Sequence, residues 1–205
     1  MLVEGIRVTK LDAAHRQFKM AVWLFFCEGD PVCIQSLAGN ARELYERQCS
    51  NAQKEDLLTA LCKSFPTHSR KDLINVLHTA RNYIKHDNSL GDPPNIILTE
   101  MENLLTIFAA AMDCTSLMAE DTLPEAVVYL CWHAYTYPQL ACAIDLTAEV
   151  EKKWPGLTTA TSSEKRKFGR ALLKENGVAH IDGFFKALQL FAEPPLPAVQ
   201  HTGSL

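Results

Sequence analysis

Apolar residues recur at helical spacing along almost the whole chain, and no sustained alternation of period two interrupts them. This pattern constrains the fold more than any single motif. Each segment can bury one stripe of a helix, whereas none can line one face of a sheet. Leu11, Ala14, Phe18, Ala21 and Phe25 form the first stripe. Gly29-Asp30-Pro31 ends that helix and opens the next, with Asp30 as N-cap and Pro31 at the first helical position, where a missing N–H costs nothing. Ile34, Leu37, Ala38, Ala41, Leu44 and Tyr45 are the core face of the second helix. Leu57, Leu58, Leu61, Cys62 and Phe65 mark a shorter third, stopped near Pro66.

Three capping boxes are predicted downstream, at Ser69-Arg70-Lys71-Asp72, Thr99-Glu100-Met101-Glu102 and Thr122-Leu123-Pro124-Glu125. Pro138 interrupts the helix opened by the last of these, and a further helix runs to about Trp154, before Pro155-Gly156. Thr158 to Ser163 reads as a polar connector, followed by short helices at Phe168 to Leu173 and Ile181 to Phe191. Leu2 to Val8 has room for one short strand. The expected fold class is therefore all-α, a helical bundle with additional C-terminal helices. Residues 1–118 form the core, 119–193 a helical extension packed on it, and 194–205 a Pro-rich disordered tail.

With 205 residues, 47% of them hydrophobic, the chain can bury a substantial core. Its formal net charge of −4 means that any nucleic-acid site must be a local patch. No apolar run reaches membrane-spanning length, and Glu4, Arg7, Lys10 and Asp12 break up the N-terminus, unlike a secretory leader. The seven cysteines lack a C-x-x-C pair and sit mostly in apolar stretches, which predicts buried reduced thiols in a cytoplasmic protein, with neither a metal site nor a disulfide framework.

Chemistry concentrates in Arg81-Asn82-Tyr83-Ile84-Lys85-His86. Arg offers a forked, charge-assisted contact to phosphate, His moves protons near neutral pH, and Asn can orient an imidazole or a ribose hydroxyl. The helix from Ser69 carries a core stripe of Leu73, Val76, Leu77, Ala80 and Ile84. Opposite it lie Lys71, Asn75, His78, Asn82 and His86, with Arg81 and Lys85 bordering that polar face. Neither Arg81 nor His86 belongs to the stripe, so removing either is expected to cost little stability. Five residues apart on a helix, their Cβ directions diverge by about 140°. They meet if the Arg folds over, if the helix frays, or if two copies face each other.

Arg81, Asn82 and His86 match the Arg–polar–x3–His signature of the HEPN superfamily, and the chain resembles that family there. As in that family, the motif precedes a run of turn formers, Asp87 to Pro94. The resemblance implies a HEPN-like helical core over 1–118, a homodimer, and metal-independent cleavage of RNA, as in toxin–antitoxin or defence elements. It implies catalytic roles for Arg81, Asn82 and His86, substrate contacts from His78, Lys85 and Asn75, no cofactor and no metal. The implied partners are RNA and a cognate antitoxin or nucleotidyltransferase. Some members carry a Tyr two residues past the His, which the nucleotidyltransferase modifies; here Asn88 stands there, so that regulation is not expected. Val8-Thr9-Lys10-Leu11-Asp12-Ala13-Ala14, Leu24-Phe25-Phe26, Gly29-Asp30-Pro31-Val32 and Asn82 to His86 also resemble a group of uncharacterised bacterial helical proteins.

The other reading is a non-catalytic helical module that uses the same polar face for a protein or a nucleotide. Lys85-His86 also suits the dipole of a helix C-terminus without any chemistry. Lys165, Arg166, Lys167, Arg170 and Lys174 form a basic cluster expected to be a solvated helix face. His133, among Cys131, Trp132 and Tyr135, is expected to be a packed core residue. His15, Arg16, Asn40 and Arg42 are expected to be ordinary surface residues.

Overall fold

A computed structural model describes residues 5–67, 69–85, 95–138 and 147–174. Within them the chain is all helical: α1 Lys10–Phe26, α2 Pro31–Asn51, α3 Leu57–Ser64, α4 Arg70–Lys85, α5 Glu100–Met118, α6 Pro124–Thr136, α7 Thr147–Lys153 and α8 Ser162–Lys174, with one 3-10 turn at Ala119–Asp121. No strand occurs among the described residues; residues 5–8 are irregular, and the rest of the segment expected to pair, Leu2 to Glu4, lies outside them. The helix expected at 181–191 and the tail 194–205 also lie outside the described residues.

α2 is the central element, packed on α1 along one side and α5 along another, with α4 over its remaining flank and α3 packed on α4 and α5. Its small residues Ala38, Gly39 and Ala41 are buried and let neighbouring helices approach closely. Ala109, Ala110 and Ala111 do the same for α5. α6 lies on α5, and α8 closes over α1 and α6. Residues of α1, α2, α5, α6 and α8 share one continuous apolar core.

The densest part of that core is aromatic. Trp132 meets Phe25 and Phe26 edge-on at centroid distances of 5.3 and 5.1 Å, geometries that suit the ring quadrupoles. Its indole N–H donates to the Lys165 carbonyl at 2.6 Å, and the Tyr129 hydroxyl donates to the Leu104 carbonyl at 2.8 Å. Both polar tips are thereby satisfied where water is excluded. Gly169 of α8 lies flat on this cluster: a Cβ there would stand 2.2 Å from Phe26 Cε1. His133 is buried as expected, stacked against Phe108 and Tyr137, and burial pushes its imidazole down to about 4.

The caps at Asp30, Ser69 and Thr99 form as expected. The box at Thr122 does not. Pro124 takes the first helical position, which makes Leu123 the N-cap, and the Thr122 hydroxyl donates to the Ala119 carbonyl instead. Glu125 falls one position short of N3 and pairs with Lys19 at 3.4 Å. A capping pair absent from the sequence reading starts α8: Thr161 and Glu164 exchange hydrogen bonds, so the helix begins at Ser162 rather than Phe168.

The basic cluster of α8 is split. Lys165 is buried with its ammonium 4.5 Å above the Tyr137 ring, and Arg166 pairs with Glu100 at 2.7 Å over the Phe25 ring. Cys49, Cys114 and Cys131 are buried thiols, but Cys27 and Cys33 are exposed, because they cap α1 and open α2 at a surface turn; Cys142 lies outside the described residues. No helix among the described residues is long and apolar enough to cross a membrane.

Candidate functional site

α4 carries the motif. Its half-buried face contains Leu73, Ile74, Leu77 and Ile84, with Ala80 fully within it. Ile74 lies about 100° round from Leu73 and about 20° from Arg81. Counting Ile74 widens the buried face until it takes in Arg81. The structure therefore corrects the expectation that Arg81 borders the polar side: its side chain is only 6% exposed.

A glycine on the neighbouring helix makes room for it. The aliphatic stem of Arg81 crosses α2 at Gly39, where a Cβ would come within 2.4 Å of Arg81 Cδ. Beyond the stem, the guanidinium donates to the carboxylate of Glu43 in a short ion pair and to the Asn40 side-chain oxygen at 3.2 Å. A longer contact of 3.5 Å runs to the Asn82 side-chain oxygen. Asn40 is thus no plain surface residue. Neither is Arg42, which is 2% exposed and ion-paired to Glu46 at 3.4 Å and to Asp113 at 4.0 Å.

α2, α3 and α4 enclose an open groove of about 490 Å³, walled by Glu43, Glu46 and Arg47 of α2, Asp56 at the start of α3, and Arg70, Arg81, Asn82 and Lys85 of α4. At one end Glu43 receives three cations: Arg81, Arg47 at 2.5 Å and Lys85 at 3.5 Å. Burial alone would raise the Glu43 carboxyl, but Arg81, Lys85 and Arg47 outweigh it and hold the group below the usual carboxylate range. At the other end Arg70 bridges Glu46 at 3.1 Å and Asp56 at 3.7 Å. Behind the groove Asp113, fully buried on α5, accepts the Leu57 N–H at 2.7 Å and so fixes the start of α3. Burial pushes the Asp113 carboxyl up to about 7, against the pull of that N–H and of Arg42.

Of the residues expected to form a site, Arg81, Asn82 and Lys85 line this groove, Asn82 and Lys85 being exposed. Asn75 is exposed and does not line it. His86 and the side chain of His78 lie outside the described residues. The acidic half of the groove, Glu43, Glu46 and Asp56, was not read from the sequence. Its one local signal is the charge pattern Arg42-Glu43-Leu44-Tyr45-Glu46-Arg47, which puts Glu43 and Arg47 at i, i+4. Among the described residues no group of three or more His, Cys, Asp or Glu side chains is arranged to hold a metal ion.

Chemically, the groove is a polar trough that can supply an exposed amide, an exposed ammonium and a guanidinium already engaged by a carboxylate. No family model, curated protein or solved structure matches this chain.

Proposed function

We propose that this chain is a non-catalytic helical binding module whose α2–α4 groove takes a phosphate-bearing ligand of the nucleotide class. One observation carries the reading. The guanidinium that opens the motif is buried and held by Glu43 and Asn40, while Asn82 and Lys85 stand exposed beside it. A residue so anchored orders a groove more readily than it follows a reacting phosphate, because Gly39 against its stem and Asn40 on its guanidinium also hold it in place. The exposed amide and ammonium then make the contacts to the ligand. Titrating isotope-labelled protein with adenosine monophosphate tests this. Amide shifts should be confined to α2 and α4 around Glu43, Asn82 and Lys85, and Lys85→Ala should weaken binding without unfolding the chain. Shifts elsewhere, or none, would remove the reading.

The second reading is the HEPN-type ribonuclease, a cytoplasmic homodimer acting on RNA and restrained by an antitoxin or nucleotidyltransferase. It is favoured by the convergence of Arg81, Asn82 and Lys85 on one groove, with His86 following Lys85 in the sequence. In it His86 moves the proton, Arg81 leaves Glu43 for the phosphate, and Asn82 orients the ring. Cleavage of RNA that persists in excess chelator, leaves cyclic phosphate ends and disappears in His86→Ala would support it over the binding module. Intact RNA under those conditions leaves the binding module.

A further inference from the structure

The charges at the Glu43 end of the groove are unequal. Three cationic side chains, Arg47, Arg81 and Lys85, converge on a single carboxylate, and among the described residues none of the three pairs with another acid. The opposite end is evenly matched, with Glu46 and Asp56 set against Arg70 and Glu46 also against the buried Arg42. One carboxylate carries one negative charge and two acceptor oxygens. A phosphate monoester carries close to two charges and three terminal oxygens at neutral pH. The cationic end is therefore better matched by a phosphate than by the group that fills it.

Glu43 is also placed to leave. Its side chain is 24% exposed at the wall of the open groove, whereas the guanidinium that it holds is nearly buried. Arg81 would stay in position without it, because Gly39 lies against the stem and Asn40 holds the same nitrogen through a neutral amide.

We propose that Glu43 is an internal occupant of the groove's phosphate subsite: its carboxylate takes the cationic end in the free protein, and an incoming phosphate displaces it toward solvent. The inference rests on the groove being the ligand site, as proposed above. Affinity is then set by the competition between the ligand's phosphate and Glu43, and the side chain acts as a threshold that weaker anions such as a single carboxylate do not cross.

Calorimetric titration of inorganic phosphate and of adenosine monophosphate into three forms of the full chain tests this: wild type, Glu43→Gln and Glu46→Gln. The last removes the same charge one turn away, from the end that does not hold the three cations. Displacement predicts that Glu43→Gln binds phosphate at least tenfold more tightly than wild type, and that Glu46→Gln gains much less. The same gain for both probes supports capture of phosphate alone, and extra affinity for the nucleotide assigns the phosphate to that source. Equal gains in the two variants would mean that bulk charge is the cause and would overturn the role of Glu43. Should wild type bind and Glu43→Gln bind no better, Glu43 is structural and only the groove reading survives. No binding by either form defeats both. A second measurement needs no variant: saturating phosphate should return the Glu43 carboxyl, followed by carbon NMR, toward the usual carboxylate range. A purely structural Glu43 would keep its depressed titration in phosphate.

Discussion

Arg81→Ala separates a structural motif arginine from a free one. The guanidinium makes two good hydrogen bonds, to Glu43 and to Asn40, and bonds to charged groups contribute about 1.5–3 kcal/mol each. Glu43 is partly exposed and keeps Lys85 and Arg47, so the lower end applies and the pair is worth about 3 kcal/mol. The stem buried over Gly39 adds about 2 kcal/mol at roughly 0.8 kcal/mol per methylene. Freeing the side chain returns about 2 kcal/mol of rotamer entropy. The expected loss is about 3 kcal/mol, well above the roughly ±0.5 kcal/mol of an ordinary surface substitution. Urea unfolding followed by circular dichroism should move the midpoint down by about 1 M or more at unchanged slope. Asn82→Ala, one residue on and exposed, should shift it by less than about 0.5 kcal/mol. If the two variants lose the same small amount, the guanidinium is not anchored, and the argument from its burial fails.

Three further outcomes follow from the packing. Gly169→Ala puts a methyl group into the Phe26 ring, which Tyr129 and Trp132 hold in place, and should cost about 1–3 kcal/mol in the same assay, against no loss of packing from Gly5→Ala. Asp113 has a folded value near 7 and an ordinary value near 4, so the folded chain holds the extra proton between them. Its contribution to stability is complete below about pH 4 and is lost as pH rises through about 7. Wild type should thus lose stability relative to Asp113→Asn over that range, and parallel profiles would show that Asp113 does not titrate there. In native protein a thiol reagent should modify Cys27 and Cys33 first, while Cys49 and Cys131, buried and pushed up to about 11 and about 12, react only on unfolding.

The helices were legible because each carries its own signal. Thr99 and Glu102, or Asp30 and Pro31, are local arrangements that need no neighbour. Thr122-x-x-Glu125 failed for an equally local reason: Pro124 claims the first helical position and shifts the cap by one residue. Arg81 was misjudged because its burial is decided 42 residues away, by the missing Cβ of Gly39. Nothing in the spacing of α4 reveals a notch in α2. The same holds for Lys165 and Arg166, whose partners Tyr137 and Glu100 lie on other elements. For the candidate site, the basic half was visible as a motif and the acidic half was not, since Glu43, Glu46 and Asp56 look like ordinary surface acids until the helices are assembled.

The closure of α8 over α1 has a consequence for how the chain is made. Ser163 bonds to Glu28 across 135 residues of sequence, and Gly169 covers Phe26 beside that contact. A ribosome adds about 5–20 residues per second, so on the order of ten seconds pass between the emergence of α1 and that of the helix that covers it. Through that interval Phe25 and Phe26 lack the α8 side of their final surroundings. α2 and α5 can cover part of α1 earlier, but the aromatic cluster is completed only once α8 has emerged. Nascent chains stalled between α6 and α8 should accordingly be the forms most readily bound by chaperones that grip exposed aromatic segments.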